Sequence, residues 1–454
     1  MTKPRFRLLP HRDTLAGRLL KAGSWSMGQV MISHALRLGS NLIMTRLLLP
    51  EAFGLMAMVG TVLTGFALMT DIGIHRSIMR EPDGDQDYFL RAAWTVKIGR
   101  GVLIAIATLV AAIAMWWLAP AFAAPGTVYA DPRLPFLIGL SALVPLMQGL
   151  ESTTRELSLR RIHMQYSAML DVGSQVAVIM AMVAFASITP TVWALMAGTL
   201  IGPAVRVCAT HMLFPGPRMK MVRDPEISSR LWHYGKWLIG SSTFTFVAQN
   251  ADKFILGAVL NASVFGFYVI AQVWVGAGKM LISRLGDQIG FPAFSEMIRI
   301  RPKDVPRLFR RFQTVIDIVC IVCFFALSFG GQALIDLLYT DTYRTAGTYI
   351  IILSLGFLAL RFNTFGGLVM GLGNSRSTMI ISAIRAVTLC ITLPLAYEAF
   401  EMRGALMAVA LNPLVSAPYT LFLVTPVLGA HQVRWDWLWL IGTLAIGGLV
   451  IGLA

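Results

Sequence analysis

The sequence predicts an all-α polytopic membrane protein: two pseudo-symmetric six-helix lobes in a parallel repeat, with one further C-terminal helix. Three observations carry that prediction. Of 454 residues, 56% are hydrophobic and 13% charged, with a mean hydropathy of +0.69, whereas soluble domains carry about 25% charged residues. Apolar runs of about 20 residues, enough to cross a bilayer as a helix, recur along the whole chain. Finally, features of the first run return 212 residues later.

The spans follow in order. They are expected at 24–48, 54–72, 93–119, 134–151, 168–188, 192–214, 236–259, 264–283, 312–329, 346–371, 377–397 and 405–427, with a short thirteenth at 437–454. The first carries Gln29, His34 and Arg37 and lacks a small-residue cleavage site, so it reads as a retained span and not as a signal peptide. Before it, residues 5–20 alternate basic residues with Leu and Phe, a pattern suited to lying along a membrane surface. The 40 glycines and 21 prolines are tolerated in membrane helices. All four cysteines sit in apolar segments. Cys320-x-x-Cys323 has no His or Cys cluster nearby, so packing is expected there and not zinc or redox chemistry.

A net charge of +15 on a soluble protein would suggest nucleic acid. Here the charge is distributed by loop. The N-terminal tail holds six Lys/Arg, and the loops near 76–91, 152–167, 215–235 and 284–311 are likewise basic. The intervening loops hold only Arg133, Arg344 and Arg403. This alternation places the N-terminus and the basic loops in the cytoplasm and argues against a nucleic-acid partner.

The repeat sets the domain plan. At a shift of 212, Gly23, Trp25 and Gly28 fall on Gly235, Trp237 and Gly240, and Phe53-Gly54 on Phe265-Gly266. At a shift of 211, Ala194-Leu195-Met196-Ala197 returns as Ala405-Leu406-Met407-Ala408. Six spans per copy is an even number, so both copies share one orientation, which points to a transporter with its site between two lobes. The expected parts are a cytoplasmic basic segment 1–23, a lobe 24–214, a cytoplasmic linker 215–235, a lobe 236–427 and an additional span 428–454.

Polar residues inside the spans are the functional candidates. An arginine at membrane depth costs about 2.5–3.5 kcal/mol on the insertion scale, so Arg37 needs compensation. His34, Arg37 and Asn41 share one helix face by their spacing, and their repeat partners include Gln249 and Lys253. The reading is a cationic cavity holding Arg37 and Lys253, with Asp252 as a local partner. Pairing of Arg37 with Asp71 or Asp252, and of Lys253 with Asp252, are the structural alternatives. Arg361 and Arg385 are secondary candidates for lining the path. Asp171, Gln175, Asp317, Asn363 and Asn412 are further intramembrane polar residues. Asp71, beside Gly73 at a helix end, reads as a hinge or gate.

Four segments give a family resemblance: Leu49-Pro50-Glu51-Ala52-Phe53-Gly54, Asp71-Ile72-Gly73-Ile74, the basic stretch Leu157 to His163, and Val192-Trp193-Ala194-Leu195. With these the chain resembles polysaccharide flippases of the multidrug/oligosaccharidyl-lipid/polysaccharide superfamily, above all the Wzx-type O-antigen and exopolysaccharide exporters. The resemblance covers most of residues 20–427 and is family-level. It implies an inverted-V of two six-helix lobes and a cavity lined by spans 1, 2, 7 and 8. The implied cargo is an undecaprenyl-diphosphate-linked oligosaccharide, moved from the inner to the outer leaflet of a bacterial inner membrane by alternating access. Arg37 suits a diphosphate through its forked donors, while Asn41, Gln249, Asn250 and Gln272 would meet sugar hydroxyls. Membrane lipids, the polysaccharide polymerase and the chain-length machinery are the implied partners. The thirteenth span departs from the twelve-span core.

Catalysis is not expected. The sequence has no Walker A segment, no His pair at metal spacing and no Gly-x-Ser-x-Gly, and its outward-loop carboxylates are scattered and unpaired. No cofactor or metal is called for. The rival readings are a lipid II flippase, a cation-coupled multidrug exporter of the same superfamily, and a membrane enzyme of the same pathway.

Overall fold

The structure, a computed structural model, describes residues 15–161, 163–286 and 290–452. Most of the basic N-terminal segment lies outside them, as do Ile162 of the Leu157 to His163 motif, residues 287–289 and the last two residues of the expected thirteenth span. In chain order the α-helices are α1 (Leu15–Leu47), α2 (Pro50–Met69), α3 (Ile74–Arg80), α4 (Asp87–Phe122), α5 (Arg133–Ser141), α6 (Leu143–Leu150), α7 (Thr154–Arg160), α8 (Met164–Ile188), α9 (Val192–Met212) and α10 (Pro225–Val259). There follow α11 (Ala262–Leu285), α12 (Phe291–Ile300), α13 (Val305–Leu338), α14 (Arg344–Ser354), α15 (Gly356–Leu360), α16 (Asn363–Gly371), α17 (Ser375–Val415), α18 (Ala417–Leu428) and α19 (Ala430–Gly452). Among the described residues there is no strand.

Nine stretches among the described residues are long and apolar enough to cross a membrane, and one of them, Arg376–Leu428, covers two of the expected spans. Three expected spans are interrupted: the fourth, the tenth and the twelfth, the last at Ser416 between α17 and α18. The fourth divides into α5 and α6, with Pro145 in the first turn of α6, where its missing N–H costs least. The tenth divides into α14, α15 and α16. The boundary between the eleventh and twelfth is a kink within α17, where Phe400 and Glu401 leave helical geometry and Glu401 takes φ 50°.

Helix starts follow local chemistry. Asn261 caps α11 by accepting from Val264 N–H at 2.8 Å, and Asn374 caps α17 by accepting from Ser377 N–H at 3.1 Å. Asp224 accepts from the N–H groups of Glu226 and Ile227, with Pro225 opening α10. Those backbone donors, with the Tyr88 hydroxyl, hold the Asp224 carboxyl below its usual range. Gly73 adopts φ 69° before α3, and its N–H donates to Asp71 Oδ1 at 3.0 Å. Asp71 therefore closes a left-handed turn at the α2–α3 junction.

Two compact units divide the chain. The first comprises residues up to Leu48, Val62–Ala121 and Pro132–Gly240; the second comprises Leu49–Thr61, Phe122–Asp131 and the chain from Ser241 onward. In the first, α8 lies along both α1 and α9. In the second, α14 packs on α13 and α11. The Asp341–Gly371 stretch, α14 to α16, is its central crossing and is 78% buried over its apolar part, against 17% for the stretch that contains α13. On α13, Val315, Ile318, Val322, Phe325 and Phe329 form an exposed apolar stripe at helical spacing. That pattern suits lipid contact, because lipid tails are as apolar as a core.

Three contacts show why parts of the first repeat copy belong to the second unit. Val128 N–H donates to Leu260 C=O at 2.9 Å, and Tyr129 hydroxyl to Phe254 C=O at 3.0 Å. Burial pushes the Tyr129 phenol up to about 12, so it stays a donor at neutral pH. At the start of α2, Gly54 faces Ala262 and Gly266 of α11, and Gly266 faces the Pro50 carbonyl so closely that a Cβ at either glycine would collide with backbone oxygen. These are the two glycines of the repeated Phe-Gly pair.

Candidate functional site

The second unit encloses a polar cavity of about 400 Å³ within its own helices. From α10 come Gln249, Asp252 and Lys253, from α11 Gln272 and Lys279, from α16 Asn363, and from α17 Ser382, Arg385 and Asn412. Four of the expected lining residues, Gln249, Asp252, Lys253 and Gln272, are thus brought together, along with the secondary candidate Arg385. Asn250 is not among the lining residues; its Nδ2 donates to Phe246 C=O at 3.2 Å and its Oδ1 accepts from Lys253 Nζ at 2.6 Å.

The charges are not paired as local sequence proximity suggests. Asp252 is buried, and its Oδ2 accepts from the fully buried Tyr268 hydroxyl, which in turn accepts from Gln272 Nε2 at 2.7 Å. Its Oδ1 has no partner. Asp252 and Lys253 do not form a pair, because adjacent helical residues project about 100° apart and each finds its partner elsewhere. Arg385 donates through Nε to Ser416 Oγ at 2.7 Å and through Nη1 to Asn363 Oδ1 at 2.8 Å, both neutral oxygens. Lys279 makes no hydrogen bond and no ion pair within 4 Å among the described residues.

The first unit holds a cavity of about 440 Å³ lined by Ala67, Lys97, Arg100, Gln148, Glu151, Arg155, Glu156, Asp171, Ser174, Val178, Gly202 and Arg206, among others. At shifts of 212 and 211 its Ala67, Gln148, Glu151, Asp171, Ser174, Val178 and Gly202 correspond to Lys279, Leu360, Asn363, Ser382, Arg385, Leu389 and Pro413, all of which line the other cavity. The two cavities are therefore repeat equivalents with different chemistry. In the first, Asp171 gathers Gln29 Nε2 at 2.6 Å, Arg155 at 3.4 Å and Arg206, while Lys97 pairs with Glu156 at 3.4 Å. Arg100 donates to Ala67 C=O at 2.6 Å and to Thr70 Oγ1 at 3.3 Å.

His34, Arg37 and Asn41 lie on α1 in the first unit. His34 is half-buried, Arg37 is exposed without an ion pair among the described residues, and Asn41 Oδ1 is buried without a partner. Arg37 does not pair with Asp71, whose Oδ1 accepts from the Gly73 N–H.

Arg361 does not line the polar cavity. It pairs with Asp317 at 2.8 Å through Nε and with Asp436 at 2.9 Å through Nη2, and stacks over Trp439 at 4.6 Å. Trp439 Nε1–H in turn donates to Leu358 C=O at 3.2 Å. Asp317 is thus drawn to a partner inside the unit. The thirteenth span, α19, is fastened to α13 and α15 by this cluster.

Lys279 and most of the first cavity were not legible as site residues. Lys279 stands four residues before the expected span end, where a lysine reads as interfacial. Its alignment with Ala67 is the signal that marks it. Among the described residues no group of three His, Cys, Asp or Glu is placed to hold a metal.

Comparisons with known proteins give the fold and the family. The structure resembles that of the lipid II flippase MurJ in an inward closed conformation, with a TM-score of 0.66 at 13% identity over 94% of this chain and 97% of that one. It resembles an inward-facing multidrug resistance MATE family transporter of the MOP superfamily, with a TM-score of 0.62 at 12% identity over 92% and 98%. By sequence it is 21% identical to the lipopolysaccharide biosynthesis protein WzxC of Escherichia coli (strain K12), over 69% of this chain and 61% of that protein. It is 22% identical to the succinoglycan biosynthesis transport protein ExoT of Rhizobium meliloti (strain 1021), over 80% and 71%. The matched part is therefore about three fifths of WzxC's own length. With residues 43–347 matching the family described as polysaccharide biosynthesis protein, the chain belongs to that family.

Proposed function

We propose that this protein carries an undecaprenyl-diphosphate-linked oligosaccharide from the inner to the outer leaflet of a bacterial inner membrane by alternating access. The N-terminus and the basic loops face the cytoplasm, by the alternation of Lys and Arg between loops. The observation that carries the reading is the polar, cation-bearing cavity inside a unit of apolar membrane helices, where Gln249, Asp252, Lys253 and Gln272 converge. Buried polar groups in hydrocarbon are expensive and mark pathways for polar cargo. Amide and carboxylate groups suit sugar hydroxyls; Lys and Arg suit phosphate. On α1, the exposed Arg37 and the unpartnered Asn41 offer the same two chemistries. The polysaccharide polymerase and chain-length machinery are the expected functional neighbours.

Deleting the gene and weighing the lipid-linked intermediates left behind tests this. A polyprenyl-diphosphate oligosaccharide accumulating with its sugars on the cytoplasmic side supports the reading. Accumulated lipid II instead would reassign the cargo, and unchanged lipid pools would reject a lipid-linked cargo altogether.

A further inference from the structure

We propose that the cavity of the second unit is a binding site for a phosphate-type oxyanion, formed by Lys253, Lys279 and Arg385. The proposal deepens the carrier reading by placing the negative group within one unit, on α10, α11 and α17. Its binding test does not require the carrier reading to hold.

Positive charge is left over in this cavity. Three basic side chains line this cavity against one carboxylate, Asp252, and no ion pair within 4 Å joins any of them to it. Lys253 and Arg385 are steadied by neutral oxygens of Asn250, Asn363 and Ser416. Neutral partners orient a cation without cancelling its charge. A buried charge without a counter-charge is strongly unfavourable, and a bound anion removes the excess.

The repeat supplies an internal comparison. The equivalent cavity of the first unit pairs Lys97 with Glu156, and Arg155 and Arg206 with Asp171. Between the copies, Ala67 and Ser174 correspond to Lys279 and Arg385, while Glu151 and Asp171 correspond to Asn363 and Ser382. At these shared positions the second copy gains two cations and loses two carboxylates. The same helical frame thus sets four cations against three carboxylates in one unit and three cations against one carboxylate in the other.

The remaining lining also fits an oxyanion. At about 400 Å³ the cavity has room for about a dozen waters at about 30 Å³ each, ample for a phosphate or diphosphate group. Asn412 is buried with its Oδ1 unpartnered, and Ser382 lines the same wall. An amide can turn its NH₂ toward an anion, and a hydroxyl donates to it. The forked guanidinium of Arg385 and the compact ammonium of Lys279 are the two groups that grip phosphate oxygens most strongly.

The full-length protein in detergent, titrated calorimetrically, tests the site. The probes are inorganic phosphate, pyrophosphate and an undecaprenyl diphosphate without sugar. Saturable binding of pyrophosphate, weakened about tenfold or more in Lys279→Gln and in Arg385→Gln and restored by Lys279→Arg, supports the site. Arg376→Gln, which alters an exposed cation at the start of α17, leaves that binding unchanged. Binding of the inorganic anions marks a general oxyanion site. Binding of the lipid diphosphate alone, with the same variant pattern, assigns the site to a lipid headgroup. No saturable binding of any probe to a protein that remains monodisperse overturns the proposal, as does full binding in the doubly substituted Lys279→Gln/Arg385→Gln protein. A normal binding result with no export defect in the deletion strain would reject the carrier reading while leaving the site standing.

Discussion

Arg37 and Arg361 are the same kind of residue by sequence, an arginine inside a membrane-length apolar run. Their surroundings differ in the fold. Arg361 is held by Asp317 and Asp436 and covered by Trp439, whereas Arg37 is exposed on α1 without an ion pair among the described residues. Arg361→Ala leaves the buried Asp436 without its cation and should cost about 3–5 kcal/mol, read as a lower thermal unfolding midpoint. A midpoint unchanged from the parent would show that the cluster carries no stability. Arg37→Ala should keep the fold and abolish export; full complementation of a deletion strain by this variant would remove Arg37 from the transport path. The sequence gives helical spacing along one span, so it could place His34, Arg37 and Asn41 on one face. It does not give the rotation of one span against another, and that rotation is what sends Arg361 to Asp317, whereas Lys253 meets Asn250 three residues away on the same helix.

At the scale of elements, hydropathy located helices but not their continuity, and α1, α10 and α19, where the first, seventh and thirteenth spans were expected, are not among the nine stretches apolar enough to cross a membrane. α14, α15 and α16 form one crossing in three pieces, and nothing in the apolar run from Tyr349 to Leu360 announces the breaks. The kink of α17 was marked, because the polar stretch Glu398 to Arg403 interrupts two apolar runs. The α2–α11 contact yields a sharp expectation. A methyl group on Gly266 meets the Pro50 carbonyl, so Gly266→Ala should destabilise by about 1–3 kcal/mol through overpacking. Gly28, with nothing within 4 Å of its Cβ position, should accept alanine without loss. Thermal unfolding of both purified variants checks the pair. Equal midpoints would mean that α2 and α11 can separate at no cost.

For the whole molecule, the alternation of basic loops makes a topological prediction that the helices alone do not. A reporter active only outside the cytoplasm should work when fused after Gly126 and fail when fused after Gly216. The reverse pattern would invert the orientation and with it the direction assigned to transport. The parallel repeat was legible because the residues that open α2 and α11, Phe53-Gly54 and Phe265-Gly266, are identical. The equivalence of the two cavities was not, because their lining residues have diverged in charge. That contrast gives the close approach of Gly54 and Gly266 a further meaning. Two equivalent glycines facing each other's helices are what a self-complementary contact of two identical subunits becomes once their genes are fused. A bulkier residue at either position must displace the partner helix, so neither copy can drift there alone. The two glycine positions are thus tied to each other by contact, while the lining residues of the two cavities differ in charge.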